Sequence, residues 1–568
     1  MRANDQVAAA LAKLVLLTQL EDGSAQSFRT RAYDRAANAI RALPEDVSTL
    51  DLAELRAIDG VGDSTAKKIR EYLETGHMKS LDELSAKYPD EFVAMLRVPG
   101  VGPRTAITLR DKLGIESIDQ LREAVAAEQL RELPGLGAKT EEKIGTAIDK
   151  LGLAGKDRRM PIGPTLRIAN GLVEDIGAID GVSAVRYCGS LRRFRDSIAD
   201  IDVLVVADGA DEAVDADEAA GVDEAVDAAV ADARESIQVD VRVVEPDQWG
   251  SASLYFTGSK EHNIALRQRA LARGWMLNEY GLMDEDTVVA SATEEDIYRA
   301  LDLDFIPPEL REDLGEIEAA AEGNLPDLVD VDDIRGDLHV HSTWSGDGRS
   351  SLEDMVAAAA GRGLNYIAIT EHAEDLSING LSRDQVAEER AVLDELRGRY
   401  PELAILHGSE LNIDPDGGVD YDAAFLAGFD WGVASVHSHF DLPAEKQTQR
   451  IITAMENPAV SVIGHLTGRK LGRRPGIELD FDAVLDAAAA TNTALEINSH
   501  LARLDVPADL LIRARDRDDV RYTISTDSHD VTEFANIRWG VQNARRGWVQ
   551  RSQVVNTWPL ADFLAWAG

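Results

Sequence analysis

The chain has a single cysteine, Cys188, in 568 residues, so it can form no internal disulfide and no thiolate cluster that would hold a metal. That thiol needs no role beyond packing, and its solitude fits a reducing cytosol. Long hydrophobic runs are missing as well. No stretch approaches the roughly 20 apolar residues of a membrane span, and the opening MRANDQVAAA lacks the basic-then-apolar order of a signal peptide. A cytoplasmic protein with no membrane partner is expected. Positive charge is scarce: Lys and Arg total 59 against 102 Asp and Glu, a formal net charge of −43, and lysine is rare relative to arginine. Taken alone, that balance argues against polyanionic partners. The acids recur along all segments rather than gathering in one tail, which is the composition of a protein adapted to concentrated salt, where charges are strongly screened. We therefore expect a halophilic cytoplasm. Phosphate binding there must lean on backbone N–H donors and metals, because counterion release contributes little.

What the chain does have is histidine in one region. Nine of its 11 histidines lie between His339 and His529. Most of them end short apolar runs: GDLHVHS, YIAITEH, AILHGSE, WGVASVH, SVIGHL, ALEINSH and TISTDSH. Helix-like segments such as SLEDMVAAAAGRG and FDAVLDAAAA separate most of the runs, as expected of βα units closing into a barrel. Chemistry in such barrels sits where the strands end. Imidazole and carboxylate without thiolate suit Zn, Mn or Fe, and so many donors exceed the needs of one ion. With the loop SGDG after the first run, this pattern resembles the PHP (polymerase and histidinol phosphatase) family of metal phosphoesterases. The resemblance implies nine ligands, His339, His341, Asp347, His372, Glu410, His437, His465, Asp527 and His529, for two or three Mn²⁺ or Zn²⁺ ions. His407, His439 and His500 are left over, and the first and second of these are expected beside the site rather than in it.

Three internal repeats punctuate the first 150 or so residues: IDGVGDSTAKKI, VPGVGPRTAITL and LPGLGAKTEEKI. Each places Gly-x-Gly before a helix-like run, so that the glycines Gly60 and Gly62, Gly100 and Gly102, and Gly135 and Gly137 permit a tight bend that leaves helix N-terminal N–H groups open to a phosphate. They resemble helix-hairpin-helix elements, which bind the DNA backbone without reading sequence.

A second chemical centre flanks an acidic, aromatic-free run from Asp208 to Glu235. The segment CGSLRRFRDSIADIDVLVV precedes it and SIQVDVRVVEP follows it. Asp200 and Asp202 alternate along a strand and share a face, and Asp240 could join them from a neighbouring strand. Three carboxylates at one edge make a site for two Mg²⁺ ions, as in-line displacement at phosphorus requires. Together with SLYFTGSKEHNIALRQRALARGWMLNEYGL, the segment resembles the family X DNA polymerases, and in particular the bacterial and archaeal type that ends in a PHP domain.

That resemblance implies a multidomain chain: helical helix-hairpin-helix domains at 1–80 and 81–155, an α+β nucleotidyltransferase palm at 156–245, a thumb at 246–315, a linker at 316–335 and a (βα)7-type PHP barrel at 336–568. It implies that Asp200, Asp202 and Asp240 are catalytic and hold Mg²⁺ or Mn²⁺. Arg159, Ser190 and Arg193 match triphosphate contacts, Tyr255, Phe256 and Gly258 the sugar pocket, Asn263 the base edge and Arg267 the template. Lys68 matches the Schiff-base lysine of members with lyase activity, with Lys67 beside it as an alternative phosphate contact. The implied partners are DNA with gaps or 3′ ends and dNTPs, bound by a monomer. The implied function is gap filling coupled to 3′–5′ exonuclease or 3′-end phosphoesterase activity. In GRKLGRRPG, the basic residues could hold DNA or form a solvated loop.

The sequence departs from the family at Phe194 and Ala199, where glycine is usual. It also departs between Asp202 and Asp240, a short connection without the usual Gly-rich hairpin and strand. Two alternatives follow from the second departure: a working polymerase, or a metal phosphoesterase whose displaced Asp240 leaves the polymerase region as a DNA-binding platform. A scaffold with both sites inactive is a third reading.

Overall fold

In the computed structural model, the described residues are 3–24, 27–43, 46–58, 60–133, 135–150, 159–207, 225–376 apart from 227, 232 and 235, and 379–567. Most of the acidic run thus lies outside the described residues. The chain divides into two compact units, residues 1–159 with 472–475, and residues 160–471 with 476–568.

The first unit is helical. Its helices Asp63–Thr75, Pro103–Leu113 and Ala138–Lys150 each follow one of the Gly-x-Gly turns. The first glycine of each turn, Gly60, Gly100 or Gly135, has φ between +83° and +90°, a conformation that glycine adopts without steric cost. The residue between the glycines, Val61, Val101 or Leu136, is buried and donates its N–H to the carbonyl three residues back. A Cβ on Gly62, Gly102 or Gly137 would meet nothing within 4 Å. The helix N-termini therefore stay open, as the repeats predict.

In the second unit, β1 (Met160–Pro161) precedes β2 (Val182–Tyr187), and β3 (Ser197–Ile198) leads into β4 (Asp200–Ala207) and β5 (Gln238–Val244). β1 pairs with β3, and the main palm sheet has the order β2-β4-β5. β2 is antiparallel to β4, and β4 is parallel to β5. Alternation along β4 sends Ile201, Val203 and Val205 into a core with Leu166, Ala169 and Ile176 of helix Ile162–Gly177, and Asp200 and Asp202 to the other face. A parallel pair needs a crossover. Its described part is helical and buries Val226 and Val230 in the same core.

Helices Trp249–Thr257 and Lys260–Leu271 lead to a small antiparallel sheet of β6 (Met276–Asn278), β7 (Gly281–Asp284) and β8 (Thr287–Ala290). The remaining strands are β9 (Gly336–Val340), β10 (Tyr366–Ile369), β11 (Ala404–Asn412), β12 (Trp431–Ser435), β13 (Val462–Gly464), β14 (Ala494–Asn498) and β15 (Tyr522–Ser525). All seven are parallel and lie in sequence order. A bridge from Val340 to Ser528 brings the last strand back to the first, which nearly closes the (βα)7 barrel. Each strand reads as a near-continuous apolar run because both of its faces are covered.

Candidate metal centres

The seven apolar runs become β9 to β15, and the nine predicted ligands gather at their carboxyl ends and in the loop after β9. Glu410, fully buried on β11, is the hub. Its Oε2 lies 2.9 Å from His372 Nδ1 and 3.5 Å from both His339 Nε2 and His341 Nε2. Its Oε1 lies 3.0 Å from His465 Nε2 and 3.2 Å from His437 Nε2. Asp527 Oδ1 stands 3.4 Å from His341 Nε2 and 3.7 Å from His339 Nε2. Asp347 Oδ2 stands 3.4 Å from His372 Nε2 and 3.6 Å from His529 Nε2. Most of these separations are too long for hydrogen bonds. At 2.9–3.7 Å the set brackets the roughly 3.0–3.4 Å between neighbouring donors that share an ion about 2.1 Å away.

The fit of divalent metals rests on orphaned atoms. His339 Nε2, His341 Nε2, His372 Nδ1 and Glu410 Oε1 are buried and have no hydrogen-bond partner among the described residues, a state that a folded interior does not leave uncompensated. Three triads have ligand atoms within 4.8 Å of one another: His341, His372 and His529; His339, His341 and Asp527; and His372, Glu410 and His437. Electrostatics agree. Burial acts to lower the His372 imidazole, but Glu410 and Asp347 outweigh it and push it up to about 10. Burial and the neighbouring His529 and His372 push His341 down to about 3. Both shifts come from buried imidazoles packed against carboxylates and against one another, a donor set that a divalent cation takes.

A second layer orients the ligands. His339 Nδ1 lies 2.7 Å from Glu496 Oε1, whose other oxygen accepts the His465 N–H at 2.7 Å. His437 Nδ1 lies 2.7 Å from Asn412 Oδ1, and Asn498 donates to Asp527 at 3.2 Å. Such partners fix ring orientation and tautomer. Asn412 and Asn498 were missed in the sequence; the available signal was their position near the ends of β11 and β14, at the same level as the ligands. His407 turns to Glu389 at 3.2 Å and stacks near Phe429, whereas His439 is exposed.

In the palm, β4 and β5 pair so that Asp200 stands opposite Gln238 and Asp202 opposite Asp240. All three carboxylates therefore share one face, and the short connection does not displace the third. Burial, then Asp200 and Asp240, raise Asp202 to about 6. The turn that follows β2 is tied to it by Cys188 N–H donating to the Asp202 carbonyl at 2.7 Å. Gly189, at φ +63°, abuts the Asp202 carboxylate where any Cβ would collide. Ser190 follows on this turn, half-buried.

Other predicted contacts have internal partners. Arg193 donates to the Thr257 carbonyl and, at 3.1 Å, to Glu312, which Arg195 also approaches at 3.5 Å. Arg192 and Arg311 both bind the buried Glu294, at 2.6 and 2.5 Å. Asn263 donates to the Tyr255 carbonyl at 2.7 Å, Arg267 lies over the Tyr255 ring, and Phe256 meets the same ring edge-on. Gly258 caps helix Trp249–Thr257 at φ +67°, with room for a Cβ only 3.1 Å from Arg193. In the first unit, Lys68 is half-buried on its helix, Lys67 pairs with Asp63 at 2.8 Å, and Arg159 is half-buried at the end of the unit.

A barrel rim of clustered imidazoles and carboxylates and a three-carboxylate sheet edge in one chain, with three hairpin turns upstream, fit divalent metals and chemistry at phosphate. Family models match at residues 2–78 (helix-hairpin-helix domain), 92–148 (SAM-like helix-hairpin-helix tandem), 252–312 (DNA polymerase beta thumb) and 337–500 (PHP domain). The chain is 35% identical over 549 residues to the DNA polymerase/3′-5′ exonuclease PolX of Bacillus subtilis (strain 168), covering 94% of each protein. Over 170 residues it is 34% identical to a probable phosphatase of Syntrophotalea carbinolica, covering 29% of this chain and 65% of that one. The chain belongs to the PolX family, the family X DNA polymerases that carry a PHP domain.

Proposed function

We propose that this protein fills short DNA gaps by template-directed nucleotidyl transfer in the palm and trims 3′ ends in the barrel as a 3′–5′ exonuclease. The observation that carries the reading is the β4–β5 register. It puts Asp240 beside Asp202 and removes the ground for the alternative of a phosphoesterase on a disabled polymerase platform. The site residues take the roles that the resemblance implies. Asp200 and Asp202 hold Mg²⁺ or Mn²⁺, and Asp240 receives or orients the proton of the primer 3′-OH. Ser190 and the N–H groups of its turn meet the triphosphate, and Arg193 exchanges Glu312 for a phosphate oxygen. Tyr255, Phe256 and Gly258 shape the sugar pocket, with Asn263 and Arg267 at the base and template.

In the barrel, the nine candidate ligands would hold two or three Mn²⁺ or Zn²⁺ ions, whose chemistry there would be Lewis-acid polarisation of the phosphoryl oxygens and activation of water. Glu496 and Asn412 hold the rings of His339 and His437 in their ligating orientation. The open N-termini at Gly62, Gly102 and Gly137 grip the DNA backbone, a mode of binding that concentrated salt weakens least. Primer extension on a gapped duplex in molar KCl tests the reading. Wild type and His339→Ala extend the primer while Asp200→Ala does not, and 3′-end digestion shows the reverse dependence. Digestion without any extension in Mg²⁺ or Mn²⁺ would restore the platform alternative.

A further inference from the structure

Among the described residues, the barrel site meets one cationic side chain besides its histidines. Arg503 Nε lies 3.6 Å from Oδ2 of the ligand Asp527. That distance exceeds a hydrogen bond, and Oδ2 already accepts from Asn498 at 3.2 Å. The Arg503 guanidinium makes no hydrogen bond to another described residue, and 16% of the side chain stays exposed. A guanidinium held at the rim of an anionic metal cluster, with its N–H donors uncommitted, matches the fork geometry of a phosphate oxygen pair.

The loop that carries Arg503 does not stand alone. Arg469 donates to the Arg503 carbonyl at 2.8 Å and to the Leu504 carbonyl at 2.5 Å. Its third arm reaches Asp196 of the palm at 2.9 Å. Asp505 fastens the same loop to the Thr467 N–H at 3.0 Å and to the Thr467 hydroxyl at 2.9 Å. Arg469 is therefore neither a DNA contact nor a solvated loop residue; it is 9% exposed and bridges barrel and palm. Two residues before Asp196, Phe194 stacks on Trp539 at 5.9 Å and 12°, and Leu504 is buried in the palm core beside Phe194. The residue that replaces the family's glycine thus serves as an anchor between the triphosphate turn and the barrel.

We propose that Arg503 binds the phosphate of the DNA 3′ end in the barrel site, and that Asp196, through Arg469, is a positioning residue that holds it there from the palm. The inference rests on the exonuclease reading for its substrate, but not for its binding chemistry. The test uses the full chain in molar KCl with Mn²⁺. Binding of dTMP, the product of 3′-end digestion of an oligo(dT) strand, is measured by calorimetry, and manganese content is measured in parallel.

Arg503→Ala weakens dTMP by about tenfold to a hundredfold with manganese content unchanged, and Arg503→Lys recovers part of the loss. Asp196→Asn weakens it by about twofold to fivefold. With oligo(dT), Arg503→Ala raises KM more than it lowers kcat if the contact is made equally in ground and transition states. Unchanged dTMP affinity in Arg503→Ala, or no dTMP binding by wild type, overturns the assignment. Loss of manganese in Arg503→Ala also overturns it, since Arg503 would then serve Asp527 alone. An Asp196→Asn protein equal to wild type removes the positioning role. A wild type that binds dTMP through Arg503 yet digests no 3′ end sinks the exonuclease reading and leaves this one standing.

Discussion

In the palm, three carboxylates stand on two adjacent strands, half-buried, and among the described residues their side chains have no hydrogen-bonded partner beyond Gln238, which donates to Asp240 at 2.8 Å. In the barrel, the nine candidate ligands come from six strand ends and a loop, and several are braced from behind by Glu496, Asn412 or Asn498. Burial first, and then the neighbouring Asp200 and Asp240, raise the Asp202 carboxyl, a charge that divalent cations would offset. The barrel compensates much of its charge with its own imidazoles. One cluster thus stands at an open sheet edge and the other is braced at a barrel mouth, a contrast of geometry between the two regions.

The sharpest break in this comparison is a single ligand from each site. Asp202→Ala should lower primer extension on the order of 10³-fold and leave 3′-end digestion intact, while Glu410→Ala does the opposite; both are read from one labelled gapped duplex. Loss of both activities from either variant would show that the sites are not independent.

Stability should expose the next difference. Glu294 is buried, which works against its charge, but Arg311 and Arg192 outweigh burial and hold its carboxyl down at about 2. Glu294→Gln leaves Arg311, fully buried, without its carboxylate and should cost about 3–5 kcal/mol, read as a lower midpoint in denaturant. Because the folded carboxyl lies below its unfolded value, its stabilisation is present above about pH 4.5 and is lost as the pH falls toward 2. The difference between wild type and variant should shrink over that window.

A bracing residue separates the two designs further. Glu496→Gln should weaken metal binding in the barrel by about tenfold to a hundredfold, measured by competition with a chelator, with extension in Mg²⁺ unaffected. The smallest effect is expected at the anchor. Phe194→Gly relieves a φ of +57° but removes the stack on Trp539, for a net loss of about 1 kcal/mol in thermal unfolding. A gain in stability would show that the family's glycine is the better residue here.

Much of the barrel site was legible in the sequence because a βα barrel sends the end of every strand to one rim. Several candidate donors could be placed from their own runs, such as TEH for His372 or SVH for His437, without knowing which strands were neighbours, whereas the choice of nine was what the resemblance implied. The hairpins were legible for a related reason: their glycines answer to local backbone geometry. The palm was legible only in part. Asp200 and Asp202 share a face by alternation within one strand, but Asp240 depends on a partner strand and on register. Arg193 and Asn263 match substrate contacts by resemblance, and only the structure shows that Glu312 and the Tyr255 carbonyl are their partners within the chain.

The sequence by itself determined the donors, their placement at strand ends and the three turns, because these follow from periodicities of two residues, three to four residues and one tight bend. Only the tertiary structure decided that Asp240 stands opposite Asp202, that Asn412 and Asn498 brace the ligands, and that Arg469 joins palm to barrel. Such facts depend on which segments distant along the chain become neighbours, and no local pattern encodes that. The scarcity of cysteine and of positive charge acquires a meaning in the same way. With one buried cysteine and an excess of acids, the donors gathered at the barrel rim are imidazoles and carboxylates, and the fold determines where each of them stands.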